Sequence, residues 1–303
     1  MRTAFGAAFI AILVTLPAGV SGQASYDIPL AAEARQGQTS KFKYILDGKV
    51  SVMAAGQRIP ASLSAVANVT HKYGYVKEGL YPVTINAQLT SLKGDFAGQS
   101  IPKDVIKEMA PPVTTLFYDQ DGLVRKTRTA MSVKGKQQTQ VWMPNAEELA
   151  KMSQQAFIPK TKNLVIGQTF VQSFNYPEKD PMFPLVVTFV PVEVVDIQGE
   201  QAIRLQVQAN TLADLGDLYK EASKQLQIAS ADAGLQGLLG PEQLNLQMDG
   251  KMYLNIDGNV YMGLKSGEML KHDLKPYFLM QMDMMGQMMD VELDMTLYGY
   301  RIP

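Results

Sequence analysis

This sequence predicts a mainly β fold: a twisted antiparallel sheet or half-barrel of two similar units, with one longer helix packed on it. Three observations carry the prediction. Apolar and polar residues alternate at period two through most of the chain, as in "FKYILDGKVSVM", "LYPVTINAQLTSL", "QAIRLQVQA" and "MMDVELDMTLYGY", the pattern of strands buried on one side. Four Asp-Gly pairs, Asp47-Gly48, Asp121-Gly122, Asp249-Gly250 and Asp257-Gly258, stand among these runs, and that dipeptide suits the positive backbone dihedrals of tight hairpins. Helical periodicity is confined to residues 102–110, 145–156 and 211–229.

In chain order, residues 1–24 read as a secretory signal: Arg2, the apolar run "AFGAAFIAILVTL", then the small-residue stretch "PAGVSGQA". Cleavage is expected after Gly22 or Ala24, with Ala24 preferred. The apolar run is shorter than the roughly 20 residues a membrane-spanning helix needs, and no later segment resembles one. The chain has no cysteine, so neither a lipid-anchored cysteine nor a disulfide framework is expected, and stability rests on a buried core. A secreted or periplasmic location follows. A formal net charge of -1 gives no electrostatic case for binding nucleic acid or an anionic membrane surface.

Two β units follow, residues 25–143 and 163–303, joined by a helical and polar connector at 144–162 that contains the 145–156 helix and "IPKTKN". "GQTSKFKY" at 37–44 matches "GQTFVQSF" at 167–174, and each opens a strand. Two long alternating strands come next in both units, turning near Gly79 and Gly199 respectively. A helix follows, short at 102–110 and long at 211–229, and then a hairpin, "LFYDQDGLVRK" in one unit and "YLNIDGNVYMG" in the other. In the long helix Leu212, Leu215, Leu218, Tyr219, Ala222 and Leu226 form one apolar stripe, suited to covering a sheet face.

The twin Gly-Gln-Thr openings and Asp-Gly hairpins, with a signal and no cysteine, resemble uncharacterised bacterial secreted β-proteins. More distantly, and in layout only, the chain is similar to the periplasmic lipoprotein carriers, half-barrels around a greasy cavity. Neither resemblance assigns a site residue.

Enzyme signatures are missing. The two histidines, His71 in "NVTHKYGY" and His272 in "MLKHDLKP", lack a second ligand at metal spacing, and each is expected to be a surface residue or a strand-pairing partner. There is no cysteine nucleophile, Gly-x-Ser-x-Gly elbow or phosphate-cradling glycine loop. "DQDG" at 119–122 opens like a calcium loop, but Leu123 and Ala130 stand where oxygen ligands belong, so a hairpin turn is the simpler reading. No cofactor and no metal site is expected.

The methionines are the most distinctive feature. On "YFLMQMDMMGQMMDVELDMTLY" one face collects Met280, Met282 and Met284, then Met289, Val291, Leu293, Met295 and Leu297, while Gln281, Asp283, Asp290, Glu292 and Asp294 point the other way. Met248 and Met252 precede them on a neighbouring run. Three readings remain open: an adaptable core, the wall of a ligand cavity, and a copper(I) site of thioethers. The expected function is a non-enzymatic exported binding or carrier protein for an apolar, lipid-like ligand. The alternative is a structural or interaction module of the cell envelope with a protein partner, and copper(I) handling ranks behind both.

Overall fold

A computed structural model describes residues 24–54, 56–96, 99–100, 113–130, 163–176, 183–214, 216, 248–284 and 287–303. The strands are β1 (Ser25–Tyr26), β2 (Thr39–Ala54), β3 (Gln57–Tyr73), β4 (Tyr81–Phe96), β5 (Gln99–Ser100), β6 (Val113–Tyr118) and β7 (Val124–Ala130), then β8 (Leu164–Val165), β9 (Phe170–Tyr176), β10 (Phe183–Ile197), β11 (Glu200–Asp214), β12 (Met248–Gly263), β13 (Met269–Met284) and β14 (Gln287–Ile302). One short helix, α1 (Ala31–Ala34), lies between β1 and β2. The fold is mainly β, as the alternation requires.

Twelve strands form one open antiparallel sheet, in the order β7-β6-β4-β3-β2-β14-β13-β12-β11-β10-β9, with β5 beside β4. Each half of the chain is a meander, and the two join where β2 pairs with β14, Met289 opposite Ala54 and Ile302 opposite Lys41. The sheet curls strongly at one end. Strand spacing of about 4.8 Å would hold β11 and β14 roughly 14 Å apart in a flat sheet. Yet Gln198, in the β10–β11 turn, donates to the Arg301 carbonyl at 2.8 Å.

Two short features recur in both halves. Gly37 and Gly167 both have positive φ, and their N–H groups bond to Tyr73 O and Pro191 O. The following glutamines donate to carbonyls three residues back, Gln38 to Arg35 and Gln168 to Val165. Positive φ at Glu78-Gly79 and at Gln198-Gly199 makes the two turns near Gly79 and Gly199 alike.

Other expectations need correcting. Only Asp121-Gly122 turns a hairpin; Asp47-Gly48 lies inside β2, and Asp249-Gly250 and Asp257-Gly258 lie inside β12. Thus "YLNIDGNVYMG" is continuous strand. Glycine is used there for close approach: a Cβ on Gly250 would fall 2.1 Å from Gln281 O, and one on Gly258 2.0 Å from Asp273 O. The helix expected over 211–229 does not begin at 211, because Thr211–Asp214 complete β11 and exposed Leu212 faces away from the core. Its later residues, and the helices expected at 102–110 and 145–156, lie outside the described residues, apart from Gly216.

Candidate functional site: an uncharged interior face

Register fixes which side chains share a face. Pairing links Met252 to Met280 to Val291 to Val52, and Met282 to Met289 to Ala54. Further along, Leu274 links to Leu297, Leu46 and Ala65, and His272 to Gly299, Tyr44 and Ala67. These rows belong to one face, and the contacts at the curled end place it inside the curl. On the described residues of β4, β3, β2, β14, β13, β12 and β11, this interior face carries a single charged side chain, Arg301, which is ion-paired to Glu200 and Glu268 at 3.0 Å each.

The candidate methionines Met252, Met280, Met282, Met289 and Met295 fall on this face. Met282 is 6% exposed, while Met252, Met280, Met289 and Met295 are half-buried. Met248 and Met284 pair with each other at the strand ends. Met295 stands opposite Gly48, its Cγ 3.1 Å from where a Cβ would be, so glycine makes room for the thioether chain. Burial along the face is uneven: Ile203, Leu205, Val207, Ala209, Thr211 and Ala213 of β11 are buried, whereas Leu46, Val50 and Val52 of β2 and Ala61, Leu63 and Ala65 of β3 are half-buried.

The curled end is closed by polar groups. Glu268, with a fully buried side chain, accepts from Tyr73 Oη at 2.8 Å and Arg301 Nη1 at 3.0 Å, and it lies 3.4 Å from Arg35 Nε. A buried carboxylate survives only with such partners. Burial and the adjacent Glu268 push the Tyr73 hydroxyl far above its ordinary pKa. Burial alone would raise the pKa of Glu200, but Ser266 and Arg301 hold it below the usual carboxylate range. Outside this cluster lies a cleft of about 1010 Å³ lined by Arg35, Lys41, Gln198, Glu200, Lys265 and Arg301, among others. Tyr26, Ile28, Leu164 and Ile166 pack over the apolar residues of β10 to β12 nearby.

Neither histidine lies on the outer surface of the sheet, although each does stand in a strand ladder. His71 is half-buried on the interior face with its ring 4.7 Å from that of Phe42, and His272 is 4% exposed with its ring 5.3 Å from that of Tyr44. Burial lowers both pKa values to about 4, against small opposing pulls from Glu268 and Asp273 respectively, so both are neutral at pH 7. Gly299 accommodates the His272 ring, since a Cβ there would fall 2.3 Å from its Cε1.

At 119–122 the side chain of Asp119 is committed to the turn. Its Oδ1 accepts from the N–H groups of Asp121 and Leu123 at 2.9 and 2.8 Å, and its Oδ2 from Arg125. Among the described residues, no group of three or more His, Asp or Glu is placed to hold a metal ion.

Reasoning from the sequence missed the Tyr73–Glu268–Arg301–Arg35 cluster. Alternation from Val69 already aims His71 and Tyr73 inward, and that signal was available. Glu268, in the turn "KSGEML", carries none, because its burial depends on partners remote in sequence.

No family model and no curated protein matches the chain. Among solved structures it is similar to DynF from the dynemicin biosynthesis pathway of Micromonospora chersina, at 9% identity, covering 96% of this chain and 92% of that chain with a TM-score of 0.18. It is also similar to a DUF1329 family protein from Desulfovibrio piger, at 11% identity, covering 87% and 88% with a TM-score of 0.17. Likenesses at these scores bear no weight for fold or function.

Proposed function

We propose that this chain is an exported, non-catalytic binding or carrier protein that holds an apolar, lipid-like molecule against the interior face of its sheet. One observation carries the reading: among the described residues, seven neighbouring strands present a face whose single charge is neutralised, and over residues 46–52, 59–69 and 289–297 the inward side chains are apolar yet only half-buried. Methionines at one end of it suit a wall that accepts variable shapes, since their side chains are flexible and polarisable. In this reading the chain resembles, in layout only, the periplasmic lipoprotein carriers. In the same reading the matched glycines and turns of the two meanders descend from an internal duplication, and residues 1–24 are the export signal.

Native mass spectrometry of the exported protein, followed by denaturing extraction, tests the proposal. The expected result is a lipid-sized adduct, or uptake of a fluorescent fatty acid by the empty protein, abolished by Met282→Asp in a chain that keeps its strand circular dichroism. A protein that emerges empty, takes up no probe and unfolds with Met282→Asp would reduce the methionine face to ordinary core. Co-purification of one stoichiometric protein without a small molecule would favour the envelope-module alternative.

A further inference from the structure

Within the interior face a few polar atoms are buried with no hydrogen-bond partner: His272 Nε2, Thr211 Oγ1, Thr127 Oγ1 and both polar atoms of the Gln172 amide. Buried polar groups are nearly always satisfied, and an exception points to a missing partner. His272 is the most constrained of them. It is among the most buried, its ring lies over Gly299 toward Tyr44, and a Cβ on Gly299 would meet Cε1, Nε2 and the Tyr44 ring within 3 Å. Across β14 from it, Tyr44 and Leu46 begin the half-buried stretch of β2, and Ala67 and Ala65 opposite them are small. His272 therefore stands on the border between the packed half of the face and the half left partly open.

We propose that His272 Nε2 is the polar anchor of the bound molecule, hydrogen-bonding an uncharged head group such as a hydroxyl on an otherwise apolar chain. The inference rests on the carrier reading above. An ionised head group is disfavoured because Arg301, the one cation on this face of β4, β3, β2 and β14 to β11 among the described residues, is already held by two carboxylates. A neutral imidazole can accept from a hydroxyl hydrogen or donate to its oxygen, so an alcohol suits it and a hydrocarbon leaves it unpaired.

The test compares 1-dodecanol with dodecane, each presented from cyclodextrin, by displacement of a fluorescent apolar dye from the full chain. Dodecanol should bind roughly three- to tenfold more tightly than dodecane, the worth of one neutral hydrogen bond. In His272→Phe its affinity should fall to that of the alkane. Because the chain has two histidines, ¹⁵N-histidine labelling gives a readout that needs no variant. The His272 Nε2 resonance should move on adding dodecanol and stay in place with dodecane. Equal binding of both probes with an unmoved resonance overturns the anchor and leaves the carrier reading intact. Binding of neither overturns both.

Discussion

The interior faces of β11 and β2 have nearly the same sequence pattern and different fates. On β11 each inward residue from Ile203 to Ala213 is buried, whereas on β2 burial is complete at Ser40 and Phe42 and partial from Tyr44 through Val52. Alternation sets which way a side chain points. Coverage depends on what lies over it, and Tyr26, Ile28, Leu164 and Ile166 lie over the β10–β12 side. Among the described residues, one half of the face thus behaves as core, and the other as a half-exposed apolar surface.

Perturbations of decreasing size probe that contrast. The largest effect belongs to the closed end: Glu268→Ala takes the carboxylate from Arg35 and the acceptor from the buried Tyr73 hydroxyl, leaves Arg301 with Glu200 alone, and should cost about 3–5 kcal/mol by urea denaturation. A smaller loss for Glu268→Ala than for truncations on β2 would break the idea that this end is the rigid one. Leu205→Ala, at a fully buried position on the inner face of β11, should cost about 2–5 kcal/mol. Leu46→Ala, on half-buried β2, should cost clearly less while changing probe uptake more. Equal losses would mean that both halves are core.

Acid offers a third probe. His272 titrates near pH 4 when folded and near 6.5 when unfolded, so below pH 6.5 the unfolded chain takes a proton that the folded one refuses. Stability from this residue is complete above pH 6.5, falls between pH 6.5 and 4 by about 3 kcal/mol, and is level below that. His71 titrates over the same range, so the slope of denaturation midpoints should fall by about half in His272→Phe and vanish only when His71 is replaced too. The smallest effects are expected at the methionines: Met282→Leu and Met295→Leu nearly conserve volume and should each cost under about 1.5 kcal/mol. A larger loss would indicate a tightly specified fit instead of an adaptable wall.

The strand class and the inward-facing set were legible because period two is a local property. Met280, Met282, Val291 and Leu293 point where alternation puts them, and register only added their neighbours. The Asp-Gly pairs misled because glycine serves two ends, a turn at Gly122 and close strand approach at Gly250 and Gly258, and sequence spacing does not separate them. Leu212 fitted a helical stripe, yet β11 continued through it, since pairing with β12 from Thr211 to Asp214 outweighed intrinsic propensity. The Glu268 cluster and the partnerless Nε2 of His272 are tertiary facts that no local pattern encodes.

The seam between β2 and β14 bears on how this protein comes to be folded at all. The last strand in the sequence occupies the middle of the sheet, and contacts across the seam such as Arg58–Glu292 span 234 positions. Each meander can zip from its own hairpins, but joining them means closing a loop of nearly the whole chain, a slow step of high contact order. Until it closes, β2 and β14 each expose a long unpaired edge, the kind of edge that recruits other chains. Under the export proposed above, slow assembly would keep the polypeptide threadable while it crosses a membrane. It also makes the half-formed protein the species most exposed to aggregation, so loss of β14 would split the sheet at its centre instead of trimming its rim.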